Sequence, residues 1–219
     1  QSLAAELSLR ERGQDAFAPI ADEVVTVTDA VSVSRIYQYA RDVYAFGSKH
    51  ILQPGNALAI EYYTETLRGF GYEPEVQWFD TRGVRTANVV ARIPGTADPE
   101  LVYVASSHFD SVERGPGADD NSSGATALLE AARVLKDHPM PATMELAFFT
   151  GEEAGLRGSR EYVRLAGESG KHIAGALNND MIGWANDHRL DNTIRYSNPG
   201  IRDIQHAAAI QFSDLITYD

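Results

Sequence analysis

The spacing of apolar residues predicts two helices in the first third of the chain. Apolar positions recur at helical spacing over residues 31–46, and Gly47 is a suitable stop. A second helical segment covers residues 55–67 and is closed by glycines. The short β-branched run at residues 22–30 fits a strand or a linker.

The period then changes to short β-branched or aromatic runs bounded by Gly, Pro and Asp, which predict strands. Three such runs occupy residues 73–80, 86–95 and 100–108. Beyond them, strands alternate with amphipathic helices: strands at 143–151 and 173–183, and helices at 125–138, 155–167 and 199–212. This order predicts an α/β fold, a three-layer sandwich in which helices flank a mostly parallel central sheet, with an antiparallel hairpin at one edge.

The length of 219 residues suits one sizeable domain. We expect residues 1–46 to form a helical or extended N-terminal segment packed on the core, and residues 47–219 to form the main domain. The composition, 43% hydrophobic and 23% charged, is typical of a globular protein. No apolar run approaches the roughly 18 residues of a membrane span, so none is predicted.

The charge and the residue types exclude some kinds of partner. A net charge of -12 argues against nucleic-acid binding, which needs clustered Lys and Arg. Because the chain contains no cysteine, any metal must be held by His, Asp and Glu. The start at Gln1, without a charged and apolar leader, fits a mature exported protein, secreted or periplasmic, or a trimmed chain. The sequence does not indicate the oligomeric state.

Candidate chemistry lies where the predicted strands end. His108 closes one strand, Glu152 and Glu153 follow the next, and Asp180 ends a third, while Asp120 opens a helix. Ligands bind open α/β sheets at the carboxyl ends of their strands. One imidazole with several carboxylates suits zinc or another divalent ion. A pair of metals fits better than one ion, because a bridging Asp supplies the negative charge that two close cations need.

Four motifs in this order carry a resemblance to a known family. They are "HFD" at 108–110, "GADDNSSG" at 117–124, "GEEAGLRGS" at 151–159 and "NNDM" at 178–181. The chain resembles the di-zinc aminopeptidases of the bacterial secreted leucine-aminopeptidase type, within the co-catalytic zinc exopeptidases. The resemblance implies a zinc peptidase catalytic domain at 47–219 that hydrolyses N-terminal peptide bonds in peptides with a free N-terminus.

The same resemblance implies two zinc ions and a role for each motif residue. The implied metal ligands are His108 and Asp180 on one zinc, Glu153 on the other, and Asp120 bridging both. Asp110 would orient the imidazole and raise its basicity. Glu152 would be the general base that activates a metal-bridged water and returns its proton to the leaving amine.

One family ligand has no counterpart here. In the family a downstream His completes the second zinc site, yet the chain ends at Asp219, 39 residues beyond Asp180. His188 and His206 do not lie in the expected context, and "DLITYD" looks like a strand just begun. We therefore expect a C-terminally incomplete chain that can lack full activity. The histidines outside the motifs are expected at the surface or at helix ends: His50, His138, His172, His188 and His206.

Simpler interpretations of the motifs stay open. The "GPGADDNSSG" segment is rich in turn formers and could be a solvated turn. Its residues also match five positions of an EF-hand calcium loop, but a strand rather than a helix precedes it. The matching residues are Asp119, Asn121, Ser123, Gly124 and Glu130. A phosphate loop is disfavoured, because no Lys-Ser/Thr follows the glycines and the acids repel phosphate.

Two other functions remain possible on the same fold. Glutaminyl cyclases resemble the family but use one zinc for acyl transfer within the substrate, whereas His108, Asp120 and Glu153 together favour two metals. A non-catalytic, peptidase-like binding domain usually lacks metal ligands, and this sequence keeps four of the five that the resemblance implies.

Overall fold

The structure is a computed structural model that describes residues 3–185 and 188–219. It consists of two compact units: a larger one of residues 31–183, and a smaller one that joins 3–30 with 184–219. The boundary predicted at residue 46 therefore falls inside the larger unit. The packing of residues 1–46 on the core stays a prediction.

The described residues contain seven helices and seven strands. The helices are α1 Leu3–Phe17, α2 Ala21–Asp29, α3 Val33–Tyr44, α4 Pro54–Gly69, α5 Gly124–Leu135, α6 Arg157–Glu168 and α7 Pro199–Phe212. The strands are β1 Glu75–Thr81, β2 Val84–Ile93, β3 Asp98–His108, β4 Ala142–Phe149, β5 His172–Asn178, β6 Asp191–Thr193 and β7 Ile216–Tyr218. A short helical turn covers Ala18–Ile20, and an irregular one covers Ala118–Ser123.

The larger unit contains a five-stranded sheet in the order β1-β2-β4-β3-β5. Strand β2 runs antiparallel to both of its neighbours, whereas β4, β3 and β5 are parallel. Four of the five strands therefore share one direction, and β1 with β2 forms the edge hairpin that the sequence predicted. The α5 and α6 crossovers supply the long connections that parallel strands require.

Helices cover both faces of this sheet. On one face, α3, α4 and α5 pack on alternate strand residues such as Val89, Ala91 and Phe148. On the other face, Tyr162 of α6 packs against Val90 of β2, whose side chain points away from the face that Val89 and Ala91 occupy. Because successive side chains of a strand point to opposite faces, one apolar strand can serve both layers. The predicted three-layer α/β sandwich is confirmed.

The prediction of a strand or linker at residues 22–30 is wrong, since Ala21–Asp29 is helix α2. Its first turn carries Asp22 and Glu23, which interact favourably with the positive end of the helix dipole. Thr26 Oγ1 donates to the Asp22 carbonyl one turn earlier, 2.8 Å away. β-Branched residues weaken a helix only slightly, so these terminal interactions suffice.

In the smaller unit, α1 packs against α7 through an edge-to-face pair, Phe17 and Phe212, whose centroids lie 5.3 Å apart. His206 of α7 is buried, with Nδ1 2.7 Å from Thr217 Oγ1 and Nε2 2.9 Å from Asp219 Oδ1. The prediction that His206 is a surface or helix-end residue is therefore wrong. It is also wrong for His50 of the larger unit, which is buried. None of the described helices is long and apolar enough to cross a bilayer.

We expect Tyr63→Phe to leave the free energy of unfolding unchanged or to raise it by up to about 1 kcal/mol. The fully buried Tyr63 hydroxyl finds no hydrogen-bond partner among the described residues, while its ring stacks on Phe148 at 5.0 Å. Tyr72→Phe is the matched control, because the Tyr72 hydroxyl donates to the Ala132 carbonyl at 2.7 Å. That control should lose about 1 kcal/mol in urea-induced unfolding. A larger loss for Tyr63→Phe than for the control contradicts the prediction.

Candidate metal centre

Three neighbouring parallel strands bring the predicted site residues to one edge of the sheet. His108 is the last residue of β3 and is paired with Phe149 at the end of β4. Ser106 of β3 is paired with Asn178, the last residue of β5. The segments that carry Glu152 and Asp180 therefore leave the sheet beside His108, at the edge where α/β proteins bind ligands.

The imidazole of His108 lies at the centre of the acidic cluster. Its Nε2 atom is 3.2 Å from Asp120 Oδ1 and 3.6 Å from Asp180 Oδ1. One donor atom from each of these three residues lies within 4.8 Å of the others. These three donors therefore lie close to the arrangement in which they could share one zinc ion, whose ordinary distances to such atoms are about 2.0 to 2.2 Å.

Asp110 joins the imidazole to the segment that carries both glutamates. Its carboxylate is fully buried, and the Oδ1 atom lies 3.4 Å from His108 Nδ1. The backbone N–H of Glu152 donates to Oδ1 at 3.0 Å, and that of Glu153 donates to Oδ2 at 3.2 Å. One carboxylate therefore orients the ring so that Nε2 faces the cluster, and fixes the backbone of two further site residues.

Asn121 is a positioning residue that the sequence interpretation did not identify. Its buried amide nitrogen donates to Ser107 Oγ and to the Asn179 carbonyl, both at 3.0 Å. Its Oδ1 atom accepts from the N–H groups of Gly124 and Met181 at 3.0 and 3.2 Å. All four hydrogen-bonding positions of the amide are used, and they tie the Asp120 turn to the turn that carries Asp180. In the sequence, the only indication of this role is that Asn121 directly follows the candidate ligand Asp120.

Two glycines let the backbone of this turn come close to its neighbours. Gly117 has φ of +59°, the left-handed region that favours glycine. Gly124 lies so close to the ends of β3 and β5 that a Cβ atom would be 2.6 Å from the Asn179 carbonyl and 2.7 Å from Ser107 Oγ. The glycines of "GADDNSSG" thus serve the geometry of the Asp120 turn.

The cluster carries an excess of negative charge. Burial and the neighbouring carboxylates raise the pKa of Asp120, Glu152 and Glu153 above their ordinary values. For His108, burial opposes protonation, but Asp110, Asp180 and Glu152 outweigh it and raise the pKa to about 9. The Coulombic parts of these shifts have the same origin, because the acids repel one another and favour any nearby positive charge. A divalent cation would relieve this repulsion.

Glu153 supplies an observation that bears directly on metal binding. Its Oε1 atom is buried and has no hydrogen-bond partner among the described residues. The Asp120 carboxylate lies near enough to contribute, after burial, to the raised pKa of Glu153. A buried carboxylate oxygen without a partner is costly, and a metal ion is one ligand that would satisfy it. The residues present therefore fit a metal centre: His108, Asp120 and Asp180 converge, and Glu153 has an unpartnered carboxylate oxygen although it lies outside that group of three.

A cavity of about 270 Å³ opens beside the cluster. Three members of the cluster line it: His108, Glu152 and Asp180. The other lining residues are Ser106, Phe149, Thr150, Leu156, Ser159 and Asn178. It can admit a small organic group next to the carboxylate of Glu152.

The structure contradicts the EF-hand alternative. Glu130, which would be the bidentate calcium ligand, is buried within α5 and bonded to Arg133 at 2.6 Å. It also accepts a hydrogen bond from the Ser32 N–H at 2.7 Å. Its carboxylate is therefore already engaged elsewhere. The solvated-turn alternative fails as well, since Asn121 and Ser122 of this segment are buried.

Fold and site together define an α/β protein with an acidic, histidine-containing centre suited to a divalent metal. Residues 88–218 match peptidase family M28, and the chain belongs to this family. The family that the sequence motifs indicated is thereby confirmed.

Three relatives illustrate the match. Leupeptin-inactivating enzyme 1 of Streptomyces exfoliatus is 40% identical over 136 residues, which cover 60% of this chain and 31% of the relative. A probable leucine aminopeptidase 1 of Trichophyton verrucosum is 37% identical over 142 residues, 59% of this chain and 37% of the relative. A probable zinc metalloprotease of Pyrenophora tritici-repentis is 29% identical over 199 residues, 78% of this chain and 41% of the relative. The chain thus spans less than half the length of these relatives.

Solved structures show the same fold. The LapA aminopeptidase of Legionella pneumophila superposes with a TM-score of 0.81 at 18% identity, covering 90% of this chain and 57% of LapA. A glutaminyl cyclase of Porphyromonas gingivalis gives a TM-score of 0.70 at 24% identity, covering 87% of this chain and 75% of the cyclase. Both enzyme types share this architecture, so the fold alone does not choose between them.

We expect Asp110→Asn to weaken zinc binding by about 10- to 100-fold. An asparagine presents an NH₂ group to one of the two N–H groups that now donate to the carboxylate, that of Glu152 or that of Glu153. Competition with a chromophoric chelator measures the affinity. Glu113→Gln removes an exposed acid nearby and is the control. Equal zinc affinity in Asp110→Asn and the parent protein contradicts the positioning role.

We expect Glu153→Gln to raise the unfolding temperature of the metal-free protein by a few degrees at pH 7 while weakening zinc binding. Because the folded-state pKa of Glu153 lies above that of an exposed glutamate, its ionised form costs stability at neutral pH. The cost disappears as the pH falls through this pKa, so the advantage of the variant should shrink in acid.

Differential scanning fluorimetry with a chelator, from pH 7 down to pH 4, measures this difference. Glu161→Gln is the control, because a hydrogen bond from Arg164 lowers the pKa of Glu161. Replacing that residue should give no gain. A pH-independent gain for Glu153→Gln argues against charge repulsion as its cause.

Proposed function

We propose that this chain carries the catalytic centre of a zinc-dependent aminopeptidase that uses two zinc ions. The observation that supports the proposal most is the convergence of His108 Nε2 with carboxylate oxygens of Asp120 and Asp180 beside a cavity. The family and the leucine aminopeptidase name of one relative are consistent with it. A secreted or periplasmic location goes with this proposal, because the motifs resemble those of secreted bacterial enzymes.

We assign the ligands as the family resemblance implies, and the proximity of His108, Asp120 and Asp180 supports the first part of that assignment. His108 and Asp180 would hold one ion, Glu153 the other, and Asp120 would bridge them. When bound, zinc polarises the scissile carbonyl and acidifies water, which is the chemistry that amide hydrolysis needs. Asp110 would keep the His108 ring oriented: the Nδ1 atom of the ring faces the Asp110 carboxylate, which leaves Nε2 for the metal.

Glu152 is placed to be the general base. Its side chain lines the cavity, and its backbone is held by Asp110, so the carboxylate is presented next to the cluster. Burial and the charges of Asp110, Asp180 and Asp120 raise the pKa of Glu152, although His108 opposes this. A carboxylate with a raised pKa is better able to take a proton near neutral pH and to pass it to a leaving amine.

The same charges suit a substrate that carries a positive terminus. The carboxylates of Asp180 and Glu152 border the cavity, and a free α-ammonium group can approach them from it. We therefore propose peptides with a free N-terminus as substrates. Their terminal charge would position the first peptide bond beside the metals.

We expect Glu152→Gln to keep its zinc and to lose turnover by about 10²- to 10⁴-fold, because the amide cannot accept a proton. The test uses the whole natural protein with aminoacyl p-nitroanilides, together with metal analysis of the same samples. A chelator should abolish the parent activity and added zinc should restore it. Glu161→Gln on the surface of α6 is the control and should retain parent activity. Absence of zinc-dependent release from the parent protein contradicts the proposal.

Glutaminyl cyclase activity is the alternative that the same samples can test. Substrates with N-terminal glutamine should be cyclised if that reaction is the true one. Metal analysis adds a second criterion, because a content of one zinc per chain favours the cyclase and two favour the aminopeptidase. Metal bound without turnover in either assay, unaffected by Glu152→Gln, favours a binding domain.

A further inference from the structure

Lys49 is a fully buried lysine in the segment between α3 and α4. Its ammonium group donates to the carbonyl of Pro116. Its backbone N–H donates to Ser111 Oγ at 2.9 Å. Lysine is almost never fully buried unless it is paired, so this position calls for an explanation.

The partners of Lys49 belong to the loop at residues 111–117, which connects Asp110 to the Asp120 turn. Two further contacts tie this loop together: Ser48 Oγ donates to the Val112 carbonyl at 2.8 Å, and Ser111 Oγ donates to the Gly115 carbonyl at 2.7 Å. Among these three contacts, the one from Lys49 is the closest in sequence to Gly117, whose own carbonyl accepts from Ser122 within the turn. It therefore fixes the end of the loop that leads into Asp120.

Lys49 is also connected to the segment that carries the glutamates. The amide nitrogen of Asn56 donates both to the Lys49 carbonyl and to Thr150 Oγ1, each at 2.9 Å. Thr150 lies two residues before Glu152. One buried network thus reaches from Lys49 to the two chain segments that supply Asp120 and Glu153.

The negative charge of Asp110 interacts favourably with the positive charge of Lys49. Burial lowers the pKa of Lys49 to about 8, and the Asp110 carboxylate counteracts this lowering. Taking an ammonium group out of water is costly unless a charge and hydrogen bonds compensate it. A residue with only a packing role could be apolar at this position at lower cost. The lysine is thus better explained by what its charge and its hydrogen bond hold in place.

We propose that Lys49 is a positioning residue of the metal centre: its buried ammonium group, bound to the Pro116 carbonyl, holds the loop that places Asp120. The proposal rests on the proposed function only in assigning Asp120 to the metal. Without Lys49 the loop should become mobile and the ligand set should lose its fixed geometry.

The test compares Lys49→Met, Lys49→Arg and Lys171→Met with the parent chain. Methionine keeps the length of the side chain but removes its charge and its donor, whereas arginine restores both. Lys171→Met is the matched control, because the Lys171 ammonium group bonds Glu145 at 2.7 Å. Glu145 is paired with Val104, which lies four residues before His108 in β3, and its carboxylate also accepts from Tyr162 of α6. Zinc affinity is measured by chelator competition, and the geometry of the site by the visible absorption of bound Co²⁺.

We expect Lys49→Met to bind zinc at least about tenfold more weakly and to alter the Co²⁺ spectrum, in line with losses known for residues that orient metal ligands. Lys49→Arg should recover much of the affinity, and Lys171→Met should match the parent protein even if its stability falls. Parent-like affinity and spectrum in folded Lys49→Met would overturn the proposal. If the methionine variant does not fold, Lys49→Gln takes its place with the same criteria.

Hydrogen exchange of the metal-free proteins separates this proposal from the proposed function. We expect faster exchange of the 111–119 amides in Lys49→Met than in the parent chain, and no such change in Lys171→Met. Unchanged exchange in this loop overturns the role of Lys49 whatever the metal content. Conversely, a parent chain that binds no zinc contradicts the proposed function, while the exchange data still decide the role of Lys49.

Discussion

The buried carboxylate of Asp110 is the constraint on which the candidate centre depends. An ionised carboxylate with no access to water is tolerated only when donors surround it. Here the donors are the N–H groups of Glu152 and Glu153, with the His108 ring at ion-pair distance and the Lys49 charge nearby. The need to satisfy one acidic group therefore fixes the His108 imidazole and a pair of glutamates relative to each other.

The surrounding cluster illustrates how a functional site is held at a cost in stability. The raised pKa values of Asp120, Glu152 and Glu153 follow from burial and from the neighbouring carboxylates. Close carboxylates destabilise the folded chain, and the Asn121 hydrogen bonds oppose the separation of the turns that carry them. Folding energy from the rest of the unit thus maintains a preformed cluster of acidic side chains around His108.

The sequence was sufficient to predict the layered fold and the strand ends that bear the site, because alternating patterns and motif spacing are local signals. It could not identify Lys49 or Asn121, because their roles arise from hydrogen bonds to Pro116, Ser107 and Asn179, which the fold brings near. The prediction for the α2 segment was wrong because β-branched residues favour a strand when only the local sequence is considered. The burial of His206 was not predicted because it depends on a contact with Thr217 of β7. The ligand roles themselves stay predictions.

The parallel pairing of β3 with β4 and β5 has a consequence for the order of events in folding. His108 meets the Glu153 and Asp180 segments only after the α5 and α6 crossovers have closed and both parallel pairs have formed. Pairing across such long connections is slow compared with the formation of a local hairpin. The newly made chain therefore has no assembled cluster of His108 and carboxylates, so under the proposed function an ion would meet its full set of donors only once this edge of the sheet is built.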